Sequence, residues 1–149
     1  MAEENITQFT EREQTSHLIE ELLAERTQVW NLYCGVAGVE SYQSNKPMEE
    51  QVQEFCQMLV DYISLGHFGV YQRIIEGSER RKTIIEAAER IYPQIVQATE
   101  AVLKFNEKYQ QALTPAIILN QLADDLSVLG DQLATRIELE DELISKMLA

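Results

Sequence analysis

The chain is expected to fold as an all-α protein, an antiparallel four-helix bundle with kinked helices in up-and-down order, and three observations lead there. Apolar residues recur at helical spacing in four long runs, no segment alternates with the period of a strand, and 6 Gly and 3 Pro in 149 residues are too few for a loop-rich fold. Amphipathic helices joined by short connections bury their apolar stripes only against one another. One domain over residues 1–149 is expected, with residues 1–9 flexible.

The first helical signal opens at Thr10, where Thr10-Glu11-Arg12-Glu13 reads as a capping box, with a second possible start at Thr15 or Ser16. Leu18, Leu22, Val29, Tyr33 and Val36, flanked by Ile19, Leu23 and Trp30, form its stripe, and Gly35 and Gly38 end it. Glu40 to Pro47 lacks periodicity and makes a loop, Pro47 suiting the first turn of the next helix. Met48, Val52, Phe55, Leu59 and Ile63 form the second stripe, and Gly66 and Gly69 predict a bend or break near Gly66. Gly77 and Ser78 read as a turn and a cap. The third run carries Ile84, Ile85, Ala88, Ile91, Ile95, Ala98, Val102 and Phe105, and Pro93 predicts a kink or two short helices in line. Thr114-Pro115 opens the last helix, with Ile118, Leu122, Leu126, Leu129, Leu133, Ile137, Ile144 and Leu148 inward.

Composition narrows the function. Asp and Glu outnumber Lys and Arg by 25 to 12, a net charge of −13 that repels nucleic acid and anionic lipid and favours a basic protein partner. The one basic cluster is Arg80, Arg81 and Lys82. Met1 to Thr10 lacks the marks of a signal peptide and no apolar stretch spans a membrane, so a cytoplasmic protein is expected. Cys34 and Cys56 show no metal or disulfide spacing and read as small hydrophobes.

Chemical motifs are sparse. A di-iron bundle needs Glu-x-x-His, which does not occur, and His17 and His67 are the only histidines, so no metal or other cofactor is expected. A histidine phosphotransfer bundle needs one exposed helical histidine, and His67 is the candidate. His67-Phe68-Gly69-Val70-Tyr71 holds no cation to steady a phosphoryl group, which favours a hydrogen-bonded structural histidine.

The most informative run is FCQMLVDYISLGHFGVYQRI, Phe55 to Ile74. Beside its core stripe, Met58, Asp61, Leu65 and Phe68 share a second face if helix persists through Gly66. Two readings stand. The helix is buried on all sides, with Asp61 paired to Arg26 or Arg136, or the face is an open groove in which one acid among apolar anchors receives a basic helix. In the last helix, Glu138, Glu140, Asp141 and Glu142 read as a solvated face.

That run resembles the signature region of the Rsd/AlgQ family of bacterial regulators, and the likeness continues in AERIYPQI, through Ala88, Ile91, Pro93 and Gln94, and in LSVLGDQLATRIELEDELI, Leu126 to Ile144. Thr10-Glu11-Arg12, Arg26, Tyr33 and Gly38 fit it too, so nearly the whole chain is covered. The resemblance implies a kinked four-helix bundle that is no enzyme. It implies an anti-sigma factor binding region 4 of the primary sigma factor, which keeps that module from minus-35 promoter DNA and core RNA polymerase and favours alternative sigma factors in stationary phase. Carried over, Asp61 is the expected contact, with Met58, Ser64, Leu65, Phe68 and Tyr71 around it and Arg26 and Tyr33 from the first helix. No direct contact with nucleic acid or membrane is implied, and a monomer or weak dimer is expected.

Overall fold

Helix α1 spans Ala2–Val36 and so begins well before Thr10. The box at Thr10 is a local option that a helix overrides when the residues before it also favour helix, and Ala2, Glu3 and Glu4 are of types that do. In the computed structural model, residues 2–42, 44–75, 81–110 and 115–148 are described, and the side chains of α1 from Ser16 onward. The expected turn at Gly77-Ser78, the cap at Thr114 and the side chains of Phe68 and Ile118 lie outside the described residues.

The end of α1 follows from its glycines. Gly38 adopts φ +87°, which a side chain would strain. The Val39 amide reaches back to the Cys34 carbonyl at 2.9 Å and the Gly38 amide to Gly35 at 3.2 Å, the paired bonds of a Schellman cap. A Cβ on Gly35 would fall 2.8 Å from the Tyr42 carbonyl oxygen, so a glycine there lets the short 3-10 turn Glu40–Tyr42 fold back over the helix end. Pro47 stands at the cap position, just outside the first turn, and α2 runs Met48–Gly66.

Near Gly66 the chain neither breaks nor stops. It widens into a π turn, His67–Tyr71, in which the Gln72 amide bonds the His67 carbonyl five residues back, and resumes as the short helix α3, Gln72–Ile75. Helix α4 runs Lys82–Tyr109 as one element through Pro93, so the alternative of two short helices is not realised. Pro93 is exposed, and so is Glu89, whose carbonyl loses the helical donor, a surface position that limits the cost. Helix α5 spans Pro115–Leu148.

The bundle is up-and-down, with antiparallel neighbours all round. Phe55 of α2 meets Tyr33 of α1 and Phe105 of α4, Thr99 of α4 meets Arg136 of α5, and α1 meets α5 where Tyr33 reaches Leu126 and Arg26 reaches Glu140. The core is close to the stripes read from spacing: Leu22, Val52, Phe55, Leu59, Ile84, Ala98 and Val102 are fully buried. Met48 and Leu148, assigned to stripes, are exposed at helix ends, and Trp30 lies 39% exposed, stacked on Tyr33 at 5.3 Å.

Each buried aliphatic or aromatic side chain contributes about 1.5 to 3 kcal/mol of transfer free energy, which fixes the bundle. Polar groups then decide its details. Gly130 of α5 is one such place: a Cβ there would lie 2.3 Å from the Tyr33 hydroxyl, which donates to the Leu126 carbonyl at 2.9 Å. The missing side chain is the slot through which α1 keys onto α5.

Candidate functional site

Helix α2 presents the two faces that its spacing implied, and they hold opposite kinds of acid environment. On the outer face Asp61 is exposed, with Met58, Ser64 and Leu65 half-buried around it. Met58 and Leu65 rest on the core and show their remaining surface to water, so the ledge is apolar with one carboxylate. Asp61 accepts only from Gln57, one turn earlier, at 3.1 Å among the described contacts. Neither Arg26 nor Arg136 turns to it, so the reading that buried Asp61 against an internal cation is not realised.

A second acid joins this ledge from α1. Glu25 is half-buried, and its Oε2 is enclosed with no hydrogen-bond partner. Burial raises its carboxyl above the ordinary range, and the charges of Asp61 and Glu21 raise it further. Glu21, Glu25 and Asp61 thus concentrate negative potential at the α1–α2 seam beside Met58 and Leu65. The sequence signal for Glu25 was available, because it stands one helical turn after Glu21 and beside the stripe residue Leu22.

On the inner side lies a network that spacing had assigned to solvent. Glu140, expected on a solvated face, is 1% exposed. Its Oε1 accepts from the Tyr62 hydroxyl at 2.6 Å and from Arg26 at 3.3 Å, and its Oε2 accepts from the Tyr71 hydroxyl at 2.9 Å. Arg136, one turn earlier on α5, lies 3.8 Å from the same carboxylate through Nε, donates to Thr99 at 2.7 Å and sits over the rings of Tyr62 and Tyr71 at 5.5 and 5.6 Å. A buried carboxylate survives where donors and cations offset its lost hydration, and four groups do so here. Burial beside Glu140 pushes both tyrosine hydroxyls far above their ordinary range, so they remain donors.

Spacing could have found this pair. Leu126, Leu129, Leu133, Arg136, Glu140 and Leu143 recur at three and four, so both charged residues continue the buried stripe where the half-buried Ile137 had been preferred for its chemistry, whereas Ile144 is buried as expected.

The other expected contact residues divide. Tyr71 is 3% exposed and bonded to Glu140, which places it inside the protein and not on the ledge: the π turn swings it inward. Arg26 is largely buried, and although burial opposes its charge, the Asp141 hydrogen bond at 2.7 Å and the fields of Glu140 and Asp141 hold its guanidinium above the ordinary value. It also lines an open cleft of about 420 Å³ between α1 and α5, with Trp30, Ala134, Ile137 and Glu138. Tyr33 is half-buried and committed to Leu126. Phe68 occupies the second position of the π turn.

Chemistry is otherwise thin. Cys56 is buried, its thiol pushed up to about 12 by burial, and Cys34 is half-buried. Among the described residues no three His, Cys, Asp or Glu side chains converge to hold a metal, and no helix is long and apolar enough to cross a membrane. His67 stands exposed at the first position of the π turn.

Comparison with known proteins completes the picture. Over residues 1–148 the chain matches the family described as regulator of RNA polymerase sigma(70) subunit, Rsd/AlgQ. It is 32% identical over 135 residues to the regulator of sigma D of Yersinia enterocolitica, covering 87% of this chain and 80% of that one. The regulator of sigma D of Enterobacter sp. strain 638 is 34% identical over 138 residues, covering 88% and 80%. No solved structure gives a significant match. Signature run, whole-length match and relatives agree: the chain belongs to the Rsd/AlgQ family of regulators of the RNA polymerase sigma(70) subunit.

Proposed function

We propose that this chain is a cytoplasmic anti-sigma factor that binds region 4 of the primary sigma factor on the α1–α2 ledge. By covering that module it withholds the primary sigma factor from minus-35 DNA and from core RNA polymerase, and alternative sigma factors gain share in stationary phase. The family it belongs to comprises transcription regulators and is not an enzyme family, and no observation favours phosphotransfer at His67.

The observation that carries the reading is the exposed Asp61 among half-buried Met58, Ser64 and Leu65, beside a Glu25 carboxylate that burial and like charge disfavour. A basic partner segment gives Asp61 its counter-ion, relieves Glu25 and covers the apolar surface in one step, the arrangement of apolar anchors around a charge found at binding hot spots. In this reading the partner also meets Phe68 and, on the α1–α5 side, Arg26 and Tyr33, while Tyr71 supports the ledge from inside.

The test is titration of a purified sigma region 4 fragment into wild-type protein and Asp61→Ala. Affinity should fall by about 2 kcal/mol or more while the melting temperature stays nearly constant, because Asp61 is exposed and bonded only along its own helix among the described contacts. Undiminished binding, or equal loss of binding and stability, refutes the assignment.

A further inference from the structure

Tyr62 and Tyr71 bond the two oxygens of one carboxylate, yet they stand nine positions apart on the same chain of helix. At about 100° per residue a regular α-helix would set them about half a turn apart, on opposite faces. The π turn His67–Tyr71 eases that conflict, since its wider coil lags a regular helix by roughly a quarter turn, which halves the separation and brings Tyr71 round toward Glu140. Three further contacts brace the same place. Arg136 lies over both tyrosine rings. Its Nη2 sits where a Cβ on Gly66 would come within 3.1 Å, so a side chain there would crowd the guanidinium against the entry to the turn. At Gly69, within the turn, an added Cβ would reach Leu18 of α1 and Leu65 at 3.6 Å, which places the turn directly behind the ledge.

We propose that Glu140 is a positioning residue for partner binding: through Tyr71 it selects the π register of residues 67–71 over a regular helix, and the ledge from Met58 to Phe68 has its binding shape only in that register. A π turn is the less favoured coil of an isolated helix, so a contact outside the helix must hold it. The carboxylate supplies that contact from α5, on the far side of the core from the partner. Glu140 is thus buried, touches no partner and still governs recognition. The proposal rests on the reading of the ledge as the sigma contact.

Tyr62→Phe and Tyr71→Phe provide a matched pair, because each removes one buried hydroxyl from Glu140 and only Tyr71 belongs to the π turn. Both should lower the melting temperature by similar amounts. Tyr71→Phe alone should speed amide hydrogen exchange across residues 67–72 and weaken binding of the region 4 fragment about tenfold, the factor that corresponds to one lost hydrogen bond to a charged group. Tyr62→Phe should leave affinity within about twofold of wild type, below the cost of such a bond. Equal affinity changes in the two variants, or unchanged exchange at 67–72 in Tyr71→Phe, overturn the proposal. A wild-type protein that fails to bind region 4 instead overturns the ledge assignment, and the exchange measurement still decides whether Tyr71 and Glu140 hold the turn.

Discussion

Glu140 and Glu25 illustrate how little a residue's type says about its energetics. Glu140 is enclosed and satisfied by Tyr62, Tyr71 and Arg26, whereas Glu25 is only half-buried and carries an unpartnered oxygen facing Asp61 and Glu21. Removing the Glu25 charge should therefore stabilise the free protein. Glu25→Gln relieves a like-charge pair one helical turn apart, worth about 0.2 to 0.5 kcal/mol, and should raise the denaturation midpoint while weakening region 4 binding. The pH dependence has a definite sign. An acid whose folded-state value lies above its unfolded value favours the folded state at low pH, and that advantage is lost as pH rises through the folded value. The stability gap between variant and wild type should then be nil well below the ordinary 4.5, open as pH rises past it and stay constant at neutrality. A gap that closes with rising pH, or a destabilised variant, contradicts the strain assigned to Glu25.

Helices α1 and α5 meet through long side chains, and this makes Gly130 and Tyr33 decisive at the scale of an element. Glycine inside a helix costs about 1 kcal/mol against alanine, so Gly130→Ala on an isolated helix would stabilise. In the bundle its Cβ would meet the Tyr33 hydroxyl at 2.3 Å and the ring carbon beneath it at 2.9 Å. A net loss of about 1 to 3 kcal/mol in urea unfolding is the expected outcome, as for other overpacked interiors, and a stabilised variant would show that α1 does not key there. The irregularity of α2 was legible as glycines at 66 and 69, but its form was not. A helix loosened by glycine can bend, break or widen, and widening is the form in which Tyr71 reaches Glu140 and Gly66 leaves room for Arg136, both residues of another helix. Pro93 shows the converse, since a proline on the exposed side leaves α4 a single element.

The whole molecule acts through its charge as well as its ledge. A net charge of −13 sets up a field that a basic module meets before contact, so association with region 4 should be fast at low salt. Its rate should fall by roughly an order of magnitude as the screening length shrinks from about 30 Å at 0.01 M to about 8 Å at 0.15 M, while dissociation changes less. Stopped-flow mixing across that range measures it, and a rate indifferent to salt removes steering from the account.

From the sequence alone came the helical class, the four amphipathic runs, the antiparallel order that short connections impose, the family and the choice of Asp61 as a candidate, while its outward place came from the structure. These are properties of one helix at a time, or of a signature run, and periodicity records them faithfully. Which acid is interior, which arginine it holds and why Tyr71 turns inward were settled only when five segments came together around Glu140. A buried charge is satisfied by groups far away along the chain, here Arg26 at one end and Glu140 at the other, and no local pattern encodes a partner so distant.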